Sequence, residues 1–181
     1  MAEHLHFDAV VVGSGQGANP LSMALAESGR KTVLIERKHV GGTCINEGCT
    51  PTKTMVASAR VAYLAKRGED YGVHVGPVSV DMTKVRQRKR DIVNSFRSGS
   101  ESRIANTANL QLLMGEASFG GPKSLLVRLN DGGERQIMGD SIFINTGTRA
   151  GVPSLQGLDT VPYLDNVPSW SSIPFRSICW F

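Results

Sequence analysis

The first 36 residues carry the pattern that most restricts the fold, because a buried strand runs directly into a glycine-rich turn. Residues 7–12 (FDAVVV) are apolar and rich in β-branched side chains, as is typical of a buried parallel strand. Residues 13–18 (GSGQGA) form a G-x-G-x-x-A version of the dinucleotide fingerprint. A helix is predicted over 19–27, and a second apolar strand over 31–35 ends in Glu36. This order of elements predicts a βαβ nucleotide-binding unit.

Each position of that fingerprint has a physical role. Gly13 allows a tight turn, and Gly15 lets a pyrophosphate approach the backbone N–H groups where the helix begins. Gly17 completes the predicted glycine set, and Ala18 replaces the third glycine while still permitting close packing of helix on strand. Glu36 can accept hydrogen bonds from ribose hydroxyls and would repel a 2′-phosphate. These residues predict a dinucleotide site, without separating FAD from NAD.

A second motif places two cysteines around a bend that should open a helix, within residues 41–53 (GGTCINEGCTPTK). The two leading glycines allow close approach to another group, and residues 53–67 have helix-forming composition. A helix N-terminus favours the thiolate form of cysteine, so Cys44 and Cys49 are predicted to form a redox-active dithiol. The alternatives are buried structural thiols or half of a zinc site. Zinc would need two further ligands, and the sequence has no second cysteine or histidine cluster to supply them.

The two motifs together resemble the class I pyridine nucleotide-disulfide oxidoreductases, flavoenzymes that include dihydrolipoyl dehydrogenase, glutathione reductase and mercuric reductase. Residues 15–21 (GQGANPL) and 49–53 (CTPTK) look most similar to the mercuric reductase-like branch. The resemblance implies an α/β fold: a Rossmann-like FAD-binding domain with a parallel sheet and a small antiparallel strand insertion. It implies that this domain spans 5–150, and that a family-like connector follows at 151–166.

The resemblance also implies a role for individual residues. FAD would occupy the first site, with Glu36 on its adenosine ribose and Thr43 near its phosphates. Cys49 would face the isoalloxazine ring, Cys44 would be the thiol that exchanges with substrate, and Lys53 would lie near flavin N5. Two short motifs imply further cofactor contacts. Gly115, within residues 115–117, would lie beside the adenine, and Thr146 with Gly147 would lie against the flavin.

The mechanism implied is a two-stage transfer of electrons. NAD(P)H reduces the flavin, the flavin reduces a Cys44–Cys49 disulfide, and Cys44 then reduces a disulfide or a metal ion. The resemblance implies a longer enzyme with an NAD(P)H-binding domain and a dimerisation domain, and we expect both to be absent here. Residues 167–181 also lose the family pattern. We therefore expect a C-terminally truncated or frameshifted enzyme that is inactive alone. The alternative is a flavin-binding module or remnant without turnover.

Composition excludes several other classes. No apolar stretch approaches a membrane span and the N-terminus has no signal-peptide features, so a cytoplasmic protein without a membrane partner is expected. The net charge of +4 is concentrated at residues 84–90. We interpret this run as the solvated face of a helix over 80–104, with no nucleic-acid partner. The expected partners are a small-molecule or disulfide substrate and, by the resemblance, a second subunit. No resident metal is expected, and the H-x-H pair of His4 and His6 is interpreted as a strand edge.

Within the predicted helix, four apolar side chains are the candidate buried positions: Val85, Ile92, Val93 and Phe96. Short strands are predicted over 110–114, 124–129, 135–138 and 141–145. Residues 130–133 (NDGG) predict the hairpin that joins the second and third of them.

Overall fold

The structure, a computed structural model, describes residues 4–163. The residues predicted to depart from the family pattern, 167–181, lie outside this range. Five strands are formed: β1 (His4–Val12), β2 (Thr32–Glu36), β3 (Leu110–Gly121), β4 (Ser124–Leu129) and β5 (Glu134–Ile144). Four α-helices accompany them: α1 (Ala18–Glu27), α2 (Gly42–Asn46), α3 (Cys49–Lys66) and α4 (Met82–Ala105). Two short 3₁₀ turns complete the described elements: Gly68–Tyr71 and Leu158–Thr160.

The strands form a parallel layer and an antiparallel layer that share two long strands. β1 pairs in parallel with β2 and β5, and β2 pairs in parallel with the first half of β3. β4 is antiparallel to the second half of β3 and to the first half of β5, so that the strand circuit closes. This arrangement confirms the prediction of a Rossmann-like domain with a small antiparallel insertion. β5 is continuous, where the sequence predicted two short strands.

Alternation along the central strands creates two apolar cores. Val10 and Val33 face a cluster enclosed by the five strands, to which β4 contributes Leu125 and Val127. The residues that follow them, Val11 and Leu34, face the opposite side. There they form a second cluster with three residues from outside the sheet: Ala18, Val40 and Ile104. The burial of Ala18 agrees with its predicted role in close packing between helix and strand.

The chain divides into two compact units. The first runs to Asn46 and resumes over Ser95–Thr148, so it holds the strands, α1, α2 and the end of α4. The second comprises Glu47–Asn94 and the described residues from Arg149 to Tyr163, and it holds α3 and the beginning of α4. Within the second unit, Arg88 joins these helices, since its Nη1 donates to Thr54 O at 3.1 Å and to Ser58 Oγ at 3.4 Å.

The basic helix differs from its prediction in two respects. Val93 is buried as predicted, but Phe96 is 57% exposed, so the prediction for Phe96 was wrong. Arg86 and Lys89 are only 8% and 9% exposed, so interpreting the whole basic run as a solvated face was also wrong. They lie three residues apart on the helical face that includes Val93, where long aliphatic stems can pack. Burial, together with the charges of Arg90 and Arg86, lowers the pKa of Lys89.

Candidate functional site

The glycine loop lies where three parallel strands end, the edge at which open α/β sheets bind ligands. Gly13 follows β1 with φ +92°, and its N–H donates to Ile35 O at 2.8 Å. A side chain at Gly13 would collide with the carbonyl oxygen of Asn145, which follows β5. The tight turn predicted at Gly13 is therefore present, and only glycine fits it.

The segment that precedes Cys44 packs directly on this loop. Gly42 has φ +62°, and a Cβ atom added to it would lie 2.6 Å from Gly15 Cα. Gly41 N–H lies 3.1 Å from both Ser14 O and Ser14 Oγ, and Gln16 Nε2 donates to Gly41 O at 3.2 Å. The sequence predicted that these glycines permit close approach to some group, and the structure identifies that group as the glycine loop.

Glu36 is fixed against the same loop. Its Oε2 accepts hydrogen bonds from Ser14 N at 3.0 Å and Ser14 Oγ at 2.6 Å, and its Oε1 accepts one from Lys38 N at 2.7 Å. The next residue, Arg37, forms an ion pair with Glu116 at 3.2 Å. The acid at the end of β2 therefore has a defined orientation. Ser14, which the sequence analysis did not select, provides the link between loop and acid.

The loop has the features of a dinucleotide cradle. No side chain caps the N-terminus of α1 at Gly17, so an anion there would meet the positive end of the helix. Cβ atoms added to Gly15 and Gly17 would lie 3.0 Å and 3.2 Å from the carboxamide of Asn145. The missing side chains thus leave room for the Asn145 carboxamide to lie close to the loop backbone. These residues fit the pyrophosphate and ribose of a bound dinucleotide.

The remaining predicted cofactor residues of the sheet lie at the ends of β3 and β5. Gly115 follows Met114, which pairs with Glu36, and a Cβ on Gly115 would lie 2.5 Å from Arg128 O. This glycine therefore lets β4 approach β3 closely beside the end of β2. Thr146 and Gly147 follow β5 and are exposed, and Gly147 has φ +70°.

The two cysteines begin two successive helical segments. Cys44 is half-buried in α2, next to the exposed Thr43. Cys49 is the exposed first residue of α3, whose N-terminus has no side-chain cap. The exposed Lys53 lies four residues further, on the same side of α3 as Cys49. Cys44 and Thr43 belong to the first unit, whereas Cys49 and Lys53 belong to the second.

Two further observations concern metals and membranes. His6 Nε2 lies 3.0 Å from Asp140 Oδ1, and Asp8 completes a group of possible ligand atoms within 4.8 Å of one another. His6 and Asp140 are exposed and pair with each other, while Asp8 accepts a hydrogen bond from Lys31 N at 2.7 Å. Within the described range, no helix is both long and apolar enough to cross a bilayer.

Comparison with known proteins identifies the family. Residues 7–173 match the family model described as pyridine nucleotide-disulphide oxidoreductase. The chain belongs to this family. The oxidoreductase family assignment agrees with the two motifs, the Rossmann-like sheet and the glycine loop, and it confirms the resemblance from which the fold was predicted.

Individual relatives place the chain at the N-terminal FAD-binding portion of these enzymes. It is 34% identical to mercuric reductase of Acidithiobacillus ferrooxidans over 89% of this chain and 29% of the relative. Dihydrolipoyl dehydrogenase of Chlorobaculum tepidum is 36% identical over 83% of this chain and 32% of the relative. The Cu(II) complex of a variant of HOCl-induced flavoprotein disulfide reductase RclA from Escherichia coli matches with TM-score 0.77 and 32% identity, covering 93% of this chain and 35% of that one.

The chain thus spans about a third of the length of these relatives. The identities to mercuric reductase and to dihydrolipoyl dehydrogenase differ by only two percentage points, 34% against 36%. The assignment to the mercuric reductase-like branch therefore stays a prediction.

Proposed function

We propose that this chain is the flavin- and dithiol-bearing portion of an FAD-dependent disulfide oxidoreductase. The observation that carries the proposal is the packing of Gly42 against Gly15, because it joins the dinucleotide loop to the segment that leads into Cys44. Bound FAD would supply two-electron chemistry, accepting a hydride from NAD(P)H and delivering electrons to a disulfide. The protein's own contribution is to bind the cofactor and to hold the two thiols.

Cofactor binding rests on the loop and the acid attached to it. Gly13 and Gly15 shape the turn, and the uncapped start of α1 at Gly17 and Ala18 meets the pyrophosphate. Glu36, oriented by Ser14, has one acceptor position left on Oε1, of about four on a carboxylate, for a hydrogen bond from the adenosine ribose. We assign Gly115 to the adenine side of the site. We assign Thr43 to the phosphates of the cofactor. Three further residues are assigned to the flavin side of the site: Lys53, Thr146 and Gly147.

The dithiol is proposed to alternate between a disulfide and two thiols. Two electrons and two protons break the Cys44–Cys49 bond and yield two thiols. The Cys44 thiolate then attacks an acceptor disulfide, which releases one acceptor thiol and leaves a mixed disulfide on Cys44. Cys49 attacks the Cys44 sulfur of that mixed disulfide and releases the second acceptor thiol, which restores the internal bond. Cys49 is the first residue of the 18-residue helix α3, whose N-terminus has no side-chain cap.

The complete reaction is proposed for the full-length context rather than for these residues alone. We place the NAD(P)H site and the interface of a homodimer in the regions that the longer relatives have beyond this chain. The final acceptor is proposed to be a disulfide or a metal ion, and the setting to be cytoplasmic. If the chain binds FAD without catalysing turnover, it acts as a flavin-binding module.

The test of cofactor binding is a titration of the purified chain with FAD, followed by flavin fluorescence and by gel filtration. We expect FAD to co-elute with the chain and NADPH not to displace it, because Glu36 would repel a 2′-phosphate. The matched variant Gly15→Val should abolish co-elution, since Cβ at this position meets the Asn145 carboxamide. Gly76→Val is the control, because no atom lies within 4 Å of a Cβ added there. Co-elution that is equal in wild type and Gly15→Val would contradict the assignment of the loop.

A further inference from the structure

Asn46, the last residue of α2, is half-buried and bonded through both ends of its carboxamide. Its Nδ2 donates to Gly42 O at 2.9 Å and to Val40 O at 3.1 Å, with His39 O slightly further away at 3.4 Å. Three carbonyl oxygens therefore surround the nitrogen. Its Oδ1 accepts a hydrogen bond from Arg97 Nε at 2.9 Å. The reversed orientation would place oxygen against oxygen and nitrogen against the guanidinium, so the environment dictates one orientation.

These bonds enclose the turn that carries Cys44. Val40 is fully buried in the apolar core, and Gly42 lies against Gly15 of the dinucleotide loop. Cys44 lies between Gly42 and Asn46 in sequence, so the turn is anchored on the core at its beginning and by the carboxamide at its end. Arg97 belongs to α4, 51 residues further along the chain, and its bond connects this turn to a long helix.

We infer that Asn46, oriented by Arg97, is a positioning residue that holds the Cys44 turn against the dinucleotide loop. This inference rests on the proposed function, because it assigns Cys44 a redox role. Asn46 touches neither the reacting sulfur nor the cofactor in this account. It restricts the conformations of the turn, and we therefore expect it to favour formation of the proposed disulfide by the Cys44 thiol.

Substitutions can separate the two ends of the carboxamide. Asn46→Asp keeps an acceptor for Arg97 but puts an oxygen against the carbonyls of Val40 and Gly42, so the turn should loosen. Arg97→Met leaves the carboxamide in place but removes the connection to α4. Arg97→Lys keeps a cation at this position and should partly restore the connection between Asn46 and α4. Asn94→Asp is the control, because Asn94 is an exposed residue of the same helix with no hydrogen bond from its side chain among the described residues.

Every full-chain variant carries Cys179→Ser, because Cys179 is the third cysteine of the sequence and would complicate the count of thiols. Each is equilibrated with glutathione redox buffers, and the Cys44–Cys49 disulfide is quantified by alkylation and mass spectrometry. We expect the effective concentration to fall about tenfold in Asn46→Asp and Arg97→Met, as for the loss of a hydrogen bond. It should fall less in Arg97→Lys and stay unchanged in Asn94→Asp. Circular dichroism of each variant identifies those that are folded, and Arg97→Lys provides the comparison if the other two unfold.

The possible results distinguish a failure of the positioning role of Asn46 from a failure of the proposed dithiol function. If the wild type forms the disulfide and folded variants match it within about twofold, the positioning role is overturned while the proposed function stands. A loss confined to the free energy of unfolding, without any change in disulfide equilibrium, also overturns it. If the wild-type chain forms no Cys44–Cys49 disulfide in oxidised glutathione, the proposed dithiol fails and the positioning role fails with it.

Discussion

Replacing Gly42 with alanine should separate the cysteine-bearing segment from the dinucleotide loop. Gly42 has φ +62°, and the added Cβ would lie 2.6 Å from Gly15 Cα. Left-handed backbone costs a residue with a Cβ about 1–2 kcal/mol. The two nearest atoms that the Cβ meets are both backbone atoms of Gly15, so no side chain can rotate away. Overpacking of this kind adds about 1–3 kcal/mol, and we expect a total destabilisation of about 2–5 kcal/mol.

A matched glycine isolates the contribution of the contact. Gly72 has φ +74°, but nothing lies within 4 Å of a Cβ added there, so Gly72→Ala should cost only the backbone term of about 1–2 kcal/mol. Urea unfolding of both variants gives the two free energies, and FAD titration shows whether the loop still binds. We expect weaker FAD binding in Gly42→Ala alone. Equal losses of stability and equal FAD affinity in the two variants would refute the close packing of Gly42 on Gly15.

Three further predictions follow from burial and charge. Leu34→Ala, at a fully buried position, should destabilise the fold by about 2–5 kcal/mol in urea unfolding, whereas Leu155→Ala, 63% exposed, should change little. Glu36→Gln should weaken FAD binding by about 1.5–3 kcal/mol in a fluorescence titration, because the ribose loses a hydrogen bond to a charged acceptor; unchanged affinity would argue against ribose contact. Because burial lowers the pKa of Lys89 in the folded chain, stability should rise with pH between that lowered pKa and the ordinary value, where the unfolded chain binds more protons. Lys89→Met should be more stable than wild type at neutral pH and lose this rise; a pH series of unfolding curves that is identical for the two proteins would contradict the burial of the charge.

Features set by neighbouring residues could be predicted from the sequence. Hydrophobic periodicity and the glycine spacing predicted the βαβ unit through Glu36, and the helix that follows the cysteines was anticipated although it begins at Cys49 rather than at residue 53. The hairpin at 130–133 also forms where predicted, with Leu129 N donating to Gly133 O at 3.0 Å. In each case the local geometry depends on residues a few positions apart, so the order and spacing of those residues predict it.

Contacts between distant segments could not be predicted in the same way. The bond from Ser14 to Glu36 and the bond from Arg97 to Asn46 join residues 22 and 51 positions apart, and neither pair has a recognisable spacing. The burial of Lys89 depends on which face of α4 packs against the rest of the protein. The charge of Lys89 predicted exposure to solvent, but the aliphatic stem of a lysine can pack against apolar surface.

The visible spectrum of the FAD-reconstituted chain, recorded as its dithiol is reduced with dithiothreitol, tests whether Cys49 lies against bound flavin. Wild type and Cys44→Ser should show a flavin absorption band with a long-wavelength charge-transfer shoulder once Cys49 is a thiolate beside the flavin, and Cys49→Ser should bind FAD without the shoulder. A chain that stays colourless with excess FAD would contradict cofactor binding by these residues. A shoulder that persists in Cys49→Ser would contradict the assignment of Cys49 as the thiol that faces the flavin.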